Sequence, residues 1–256
     1  MSRRFLVGDR LDRKLIVVGD GADHADDLVR SDSAGFQQLS AMDVDTRRGD
    51  LWVASTAAEG GAATLHKLQL VSGRPLKTFP VSADAQPVHF VDLATTSTGS
   101  VLVLDAAGSR LFVLRPGEAA LKTFVPLKIA DATSVAGAAE DGTAYVAHAA
   151  GIVRVDLRAR TTSAVKMPKA AALGRLERIR SYRNALIAVD VDESGSRRIM
   201  RLGLNASGRA VAKATTIEAL APTSGETFVS VSGDELLYLS AVPSATDVVT
   251  YRVRLR

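Results

Sequence analysis

The chain repeats one pattern: an apolar run of four or five residues, a short polar turn, and a second apolar run. FLVGDRLDRKLIVVGDG, starting at Phe5, and VLVLDAAGSRLFVLRPG, starting at Val101, align without a gap. Phe5 meets Val101, Asp9 meets Asp105, Lys14 meets Arg110 and Gly21 meets Gly117. Strand, turn, strand is the signature of a β-hairpin. The first arm recurs as LWVAS at Leu51, AYVAH at Ala144, LIAVD at Leu186 and LLYLS at Leu236. Successive copies lie about 42–50 residues apart, the period of one four-stranded propeller blade. A turn residue stands just before each copy (Gly49, Gly99, Gly142, Asn184, and Gly233 with Asp234). Gly and Asn tolerate the positive φ that tight turns often need.

Further strands flank each copy. A second arm follows, as LHKLQL, LFVLRP, IVRVDL, IMRLGL and VTYRVRL, alternating as strands do when one face is more buried. A third strand comes next, as in PLKTFPV and ALKTFVPL, and an inner strand precedes, as in SAMDVD, FVDLAT and TFVSVS. Four strands per repeat, lettered A to D from the inside outward, is the propeller recipe. The expected fold is therefore all-β: one domain over residues 1–256, a six-bladed β-propeller. One segment, Ala170 to Arg180 (AAALGRLERIR), reads as a short helix in a connection between blades. No stretch sustains a capped 3.6-residue period.

The terminal blades are expected to be incomplete. The first copy starts at a B strand, and the last ends after a C strand. The expectation is that an upstream segment supplies the missing strand, and a signal peptide would have preceded it. That would place the protein in the periplasm or outside the cell; without such a segment the reading is cytoplasmic. An unpaired terminal strand is also a route to a homodimer.

Composition narrows the chemistry. At 46% hydrophobic the chain can bury a sizeable core. Cysteine is absent, which excludes disulfides, zinc–thiolate sites and thiol nucleophiles. No apolar run approaches the ~20 residues of a membrane span. The net charge is +4; residues up to 128 are close to neutral, so the excess lies beyond them. Such a balance suits an anionic ligand, but aromatics are only 5%, and stripes of Lys and Arg with aromatics between them are missing, which argues against nucleic acid.

Candidate chemistry falls at two places in each repeat. The B strands end on Asp9, Ser55, Asp105, His148, Asp190 and Ser240. These B-strand ends are far enough from the axis that they cannot share one metal ion, and Asp or Ser there suits capping of the B–C turn. The openings of the A strands carry His89 and Asp92, Thr133 and Ser134, Glu177 and Arg178, and Glu226. Glu177, Arg178 and Arg180 make that side cationic, and His89 has the residue type of a general base. The binding set is thus His89, Asp92, Asp105, His148, Glu177, Arg178 and Asp190, with no catalytic or metal set assigned. The acidic stretch GDGADHADD, from Gly19, reads as an exposed hairpin loop and lacks the EF-hand spacing. G-x-S-x-G, P-loop and H-E-x-x-H motifs are absent. Trp52 is expected in the core.

The segments VDLATTSTGSVLVLDAAGSRLFVLRPG and MDVDTRRGDLWVAS resemble blades of the gluconolactonase-like (senescence marker protein) and NHL-type six-bladed propellers. The resemblance implies, for the lactonase group, a divalent cation such as calcium held by a Glu, an Asn and an Asp that open inner strands. The region of Val91 and Asp92 stands where the Asn is expected, Ser134 where the Asp is expected, and the Glu would lie upstream. The leading expectation is a non-catalytic propeller that presents a binding face to a ligand or protein and needs no cofactor. The alternatives are a metal-dependent lactonase-like hydrolase with an altered site, and a binder of anionic ligands.

Overall fold

In the computed structural model the protein is an all-β six-bladed β-propeller. The structure describes residues 4–57, 62–138, 142–168, 173–221, 225–240 and 249–255. Six antiparallel sheets follow one another along the chain. The first holds β1 (Arg4–Asp9), β2 (Lys14–Gly19) and β3 (Ala25–Val29). The second holds β4 (Gln38–Asp45), β5 (Asp50–Thr56), β6 (Ala63–Gln69) and β7 (Pro75–Pro80). The third holds β8 (Phe90–Thr95), β9 (Val101–Asp105), β10 (Arg110–Leu114) and β11 (Lys122–Pro126). The fourth holds β12 (Ala132–Gly137), β13 (Thr143–His148), β14 (Gly151–Asp156) and β15 (Thr161–Ala164). The fifth holds β16 (Arg175–Tyr182), β17 (Ala185–Val191), β18 (Arg197–Leu204) and β19 (Val211–Ala219). The sixth holds β20 (Thr227–Ser232), β21 (Glu235–Ser240) and β22 (Val249–Arg254). The only helical turn among the described residues is a 3₁₀ turn at Ala83–Ala85. None of their helices is long and apolar enough to cross a membrane.

Contacts group the chain into two compact units, one up to Lys128 and one from Ile129 onward, with three sheets each. The B strands explain why sheets must stack. Every residue of β5, β9 and β17 is buried. A strand buried on both faces reads as an unbroken apolar run, which is why LWVA, VLVL and LIAV do not alternate. In the first unit, Leu15, Phe36, Leu51 and Leu68 fill the space between the first two sheets, and Trp52, Leu65, Phe90 and Phe112 fill the next. Trp52 packs on Phe79, in the core as expected. In the second unit, Tyr145, Ile179, Leu186 and Leu202 pack between the fourth and fifth sheets, and Val189, Ile199, Leu236 and Tyr238 between the fifth and sixth. Each such side chain contributes about 1.5–3 kcal/mol by leaving water.

Two expectations change. The segment Ala170 to Arg180 holds no helix where it is described: β16 begins at Arg175, and residues 169–172 lie outside the description. The helical appearance has a cause. A bulge between Leu176 and Arg178 inserts one extra residue, so Leu176 and Ile179 share a face at a spacing of three. The acidic stretch after Gly19 is only partly a loop, because Ala25, Asp26 and Asp27 belong to β3, the outer strand of its sheet.

The turn glycines Gly49, Gly99, Gly142 and Gly233 all have positive φ, but at the fifth copy the positive φ falls on Arg183, not on Asn184. Gly99 does more than turn. Its φ is +87°, and a Cβ there would press on the Arg48 guanidinium, which binds Asp45 Oδ2 at 2.8 Å and the Thr98 carbonyl at 2.8 Å. Gly117 has a φ of +81° and open space around it. Gly117→Ala should therefore cost about 1 kcal/mol from backbone strain alone, and Gly99→Ala the same strain plus about 0.5–1 kcal/mol for displacing Arg48 from Asp45. Urea unfolding of the two variants measures the difference.

Candidate functional site

The described A strands of four consecutive sheets share one irregularity. The pairing register shifts between Leu39 and Ala41 in β4, Phe90 and Asp92 in β8, Ala132 and Ser134 in β12, and Leu176 and Arg178 in β16. Each shift marks a bulge at the strand's opening, with Ser40, Val91, Thr133 and Glu177 as the extra residues. A bulge re-aims the side chains on either side of it.

Beside three of these bulges, in the second, third and fifth sheets, the polar end of the B strand reaches back to the start of its own A strand. In the first unit the Gln37 amide donates to Ser55 Oγ at 3.3 Å, and the His89 amide donates to Asp105 Oδ1 at 2.8 Å. In the second unit the Gly174 amide donates to Asp190 Oδ1 at 2.8 Å. Asp105 and Asp190 are wholly buried, and each also takes an arginine Nε at 2.7 Å, from Arg110 and Arg198. Asp105 further accepts the amides of Ala107 and Gly108, while Arg110 donates to the carbonyls of Ala85 and Pro87. These carboxylates are latches between the B–C turn and the segment entering the sheet. Asp9, at the matching end of β1, caps only its own turn among the described residues, accepting from Leu11 at 3.1 Å and Asp12 at 3.0 Å. Ser240 bonds Thr227 across its sheet at 3.2 Å.

The other candidates differ among themselves. Asp92 is buried, and its Oδ1 accepts the Leu93 amide at 3.0 Å. His148 is half-buried; its Nδ1 takes the Ala150 amide at 3.4 Å, and burial holds its pKa below the ordinary value. Glu177 is gripped by two arginines, Arg197 at 3.1 and 3.2 Å and Arg175 at 2.6 Å. Arg178 pairs with Glu226 at 2.8 Å and lies over the Phe228 ring, 5.0 Å from its centre. Ser134 accepts the Ile179 amide at 2.9 Å, which ties β12 to β16.

The cation implied by the lactonase resemblance does not fit these residues. Of the two positions expected to hold it, Asp92 bonds the Leu93 amide within its own strand and Ser134 serves the neighbouring sheet. Among the described residues no three His, Asp or Glu side chains are placed to hold a metal ion.

One pair was not anticipated from the sequence. Ser55 Oγ lies 2.8 Å from His66 Nε2, both side chains buried, and the His66 ring meets Phe36 edge-on at 4.9 Å. A nucleophile-and-base pair needs access and a third group to orient the imidazole. Here His66 is 3% exposed, and its Nδ1 has no hydrogen-bond partner. The pair is a diagonal contact between β5 and β6, since Val53 faces His66 and Ser55 faces Thr64. Its signal in the sequence is only a His within an apolar strand.

No protein-family model matches the chain, and no curated protein matches it. Solved structures do resemble it. A nidogen propeller from a nidogen–laminin complex superposes with a TM-score of 0.70 at 11% identity, over 98% of this chain and 93% of that one. A luciferin-regenerating enzyme, a propeller of the gluconolactonase-like kind, gives 0.64 at 12%, over 98% and 87%. A virginiamycin B lyase from Staphylococcus aureus gives 0.64 at 11%, over 99% and 77%. At these identities the likeness is one of fold: the six-bladed β-propeller, shared by binding proteins and enzymes.

Two outcomes follow from the latches and the buried imidazole. Asp105→Ala strands a half-buried guanidinium and three amides and should cost about 2–4 kcal/mol, against about 1 kcal/mol for Asp9→Ala, in urea unfolding. Burial lowers the His66 pKa from 6.5 to about 4. The unfolded chain therefore binds that proton first. Stability is full above pH 6.5, falls as the pH drops from about 6.5 to about 4, and loses roughly 3 kcal/mol over that window. His66→Phe should remove this part of the slope between pH 7 and pH 4.5, whatever its effect on stability at pH 7.

Proposed function

We propose that this propeller is a non-catalytic binding module that presents the openings of its A strands and its B–C turns to a ligand or protein partner. One observation carries the reading: the carboxylates best placed by the sequence for chemistry, Asp105 and Asp190, are fully buried and committed to an amide and an arginine each. A general base or metal ligand needs lone pairs directed at a substrate or ion, and these groups direct theirs at the fold. The residues left facing outward near these ends, Arg175 and Glu226 among them, are of a kind that recognises partners. The nidogen propeller belongs to a protein complex, whereas the luciferin-regenerating enzyme and the lyase are enzymes, so fold alone does not choose between the roles.

The alternative, a metal-dependent lactonase-like hydrolase, is tested directly. A panel of sugar lactones, each with calcium, zinc or manganese, should show no hydrolysis above the protein-free rate. Turnover that disappears in the Asp92→Ala or His89→Ala variant would overturn the reading.

A further inference from the structure

The geometry points to a carboxylate-binding site at the edge between the fifth and sixth sheets, in which Arg178 is the anchor and Glu226 holds the ligand's place. The inference rests on the binding-face reading and names its chemistry.

The site begins with the bulge at Glu177. Arg178 pairs with Val189 across the sheet, and Arg175 and Arg197 both pair with Val191. Directly opposed residues share a face, and so do residues two apart on an unbulged strand such as β17. Arg175, Arg178 and Arg197 therefore lie on one face of the fifth sheet, the face whose apolar residues pack against the sixth. Their partners Val189 and Val191 are one step of about 7 Å apart along β17, and Arg175 and Arg197 flank Val191 from the two neighbouring strands, about 10 Å apart. The bulge sets Glu177 between Arg175 and Arg197, which it bridges. Arg175 and Arg197 thus share Glu177, while Arg178 holds Glu226.

The two carboxylates are held differently. Glu177 is 12% exposed and takes bonds from both arginines. Glu226 is 60% exposed, sits ahead of β20, and is held at Arg178 by one contact at 2.8 Å. An exposed ion pair of that kind contributes only about 0–1 kcal/mol, so an outside carboxylate can replace it. Arg178 does not move with it. Its side chain is 12% exposed and its guanidinium lies over the Phe228 ring, so the fork is already oriented before a ligand arrives. The 44% exposed Phe228 ring offers apolar surface beside the charge. The ligand is thus a carboxylate, from an acidic peptide segment or from a free dicarboxylic acid.

Calorimetric titration of the full chain at low salt tests this, with hexaglutamate peptide and free glutarate as separate probes. Removing the resident competitor in Glu226→Gln should tighten binding about tenfold, and Arg178→Gln should weaken it at least about tenfold. Binding of the peptide alone assigns the carboxylate to a protein segment; binding of both assigns it to the free acid as well. Glu226 is exposed, so its variant folds whatever becomes of Arg178→Gln, and melting curves check both. Failure of both probes to bind, or Glu226→Gln binding no more tightly than the unaltered chain, overturns the site. Lactone turnover plays no part in these titrations. A hydrolase that also bound hexaglutamate would sink the preceding reading and leave this one standing.

Discussion

The whole structure depends on strands that are apolar on both faces. Leu51 to Ala54, Val101 to Leu104 and Leu186 to Val189 are fully buried runs, and a single sheet has nothing with which to cover them. Only another sheet on each side removes both faces from water. That requirement explains why one blade-sized unit recurs along the chain. It also explains the gradient within the second, third and fifth sheets: their B strands are wholly buried, whereas an outer strand such as β7 is mostly exposed.

Apolar stacking does not fix where each sheet begins, and polar groups do that work. At the opening of the A strand a bulge adds one residue, and the polar end of the B strand catches the entering backbone. Ser55, Asp105 and Asp190 perform this with different side chains, which is how an Asp position tolerates a Ser. Between sheets a second set of contacts repeats the logic. Asp43 accepts the Thr95 amide at 2.7 Å and its hydroxyl at 2.8 Å, and Tyr182 donates to Asp234 at 3.0 Å. Once these contacts are made, the chemistry on offer near the openings of the fifth and sixth sheets is that of arginine and glutamate at a surface.

The fold was legible because its signal is long-range and repeated. The gapless match of the Phe5 and Val101 hairpins places β1 and β2 against β9 and β10 without further help. What misled was local. Apolar residues three apart, Leu176 and Ile179, imitate a helix, yet the same spacing occurs at Leu39 and Met42, Phe90 and Leu93, and Ala132 and Val135. Compared across repeats, that spacing is the mark of the bulge. The turn-capping role expected of the B-strand ends holds for Asp9 and is one part of what Asp105 does. The arginines Arg110 and Arg198 were invisible as partners, because their pairing is set by cross-strand register and not by distance along the sequence. His66 went unseen for a similar reason: nothing near it in sequence marks it as the partner of Ser55.

The account turns on the buried carboxylates being part of the fold's closure. Native-state hydrogen exchange reads this at single amides. The His89 and Gly174 amides lie outside any strand, yet each donates to a buried carboxylate at 2.8 Å. They should exchange as slowly as amides of the buried B strands, with opening free energies close to that of global unfolding. Exchange at the rate of exposed turn amides, such as that of Ser72, would contradict the account, because Asp105 and Asp190 would then be free to serve something other than the fold.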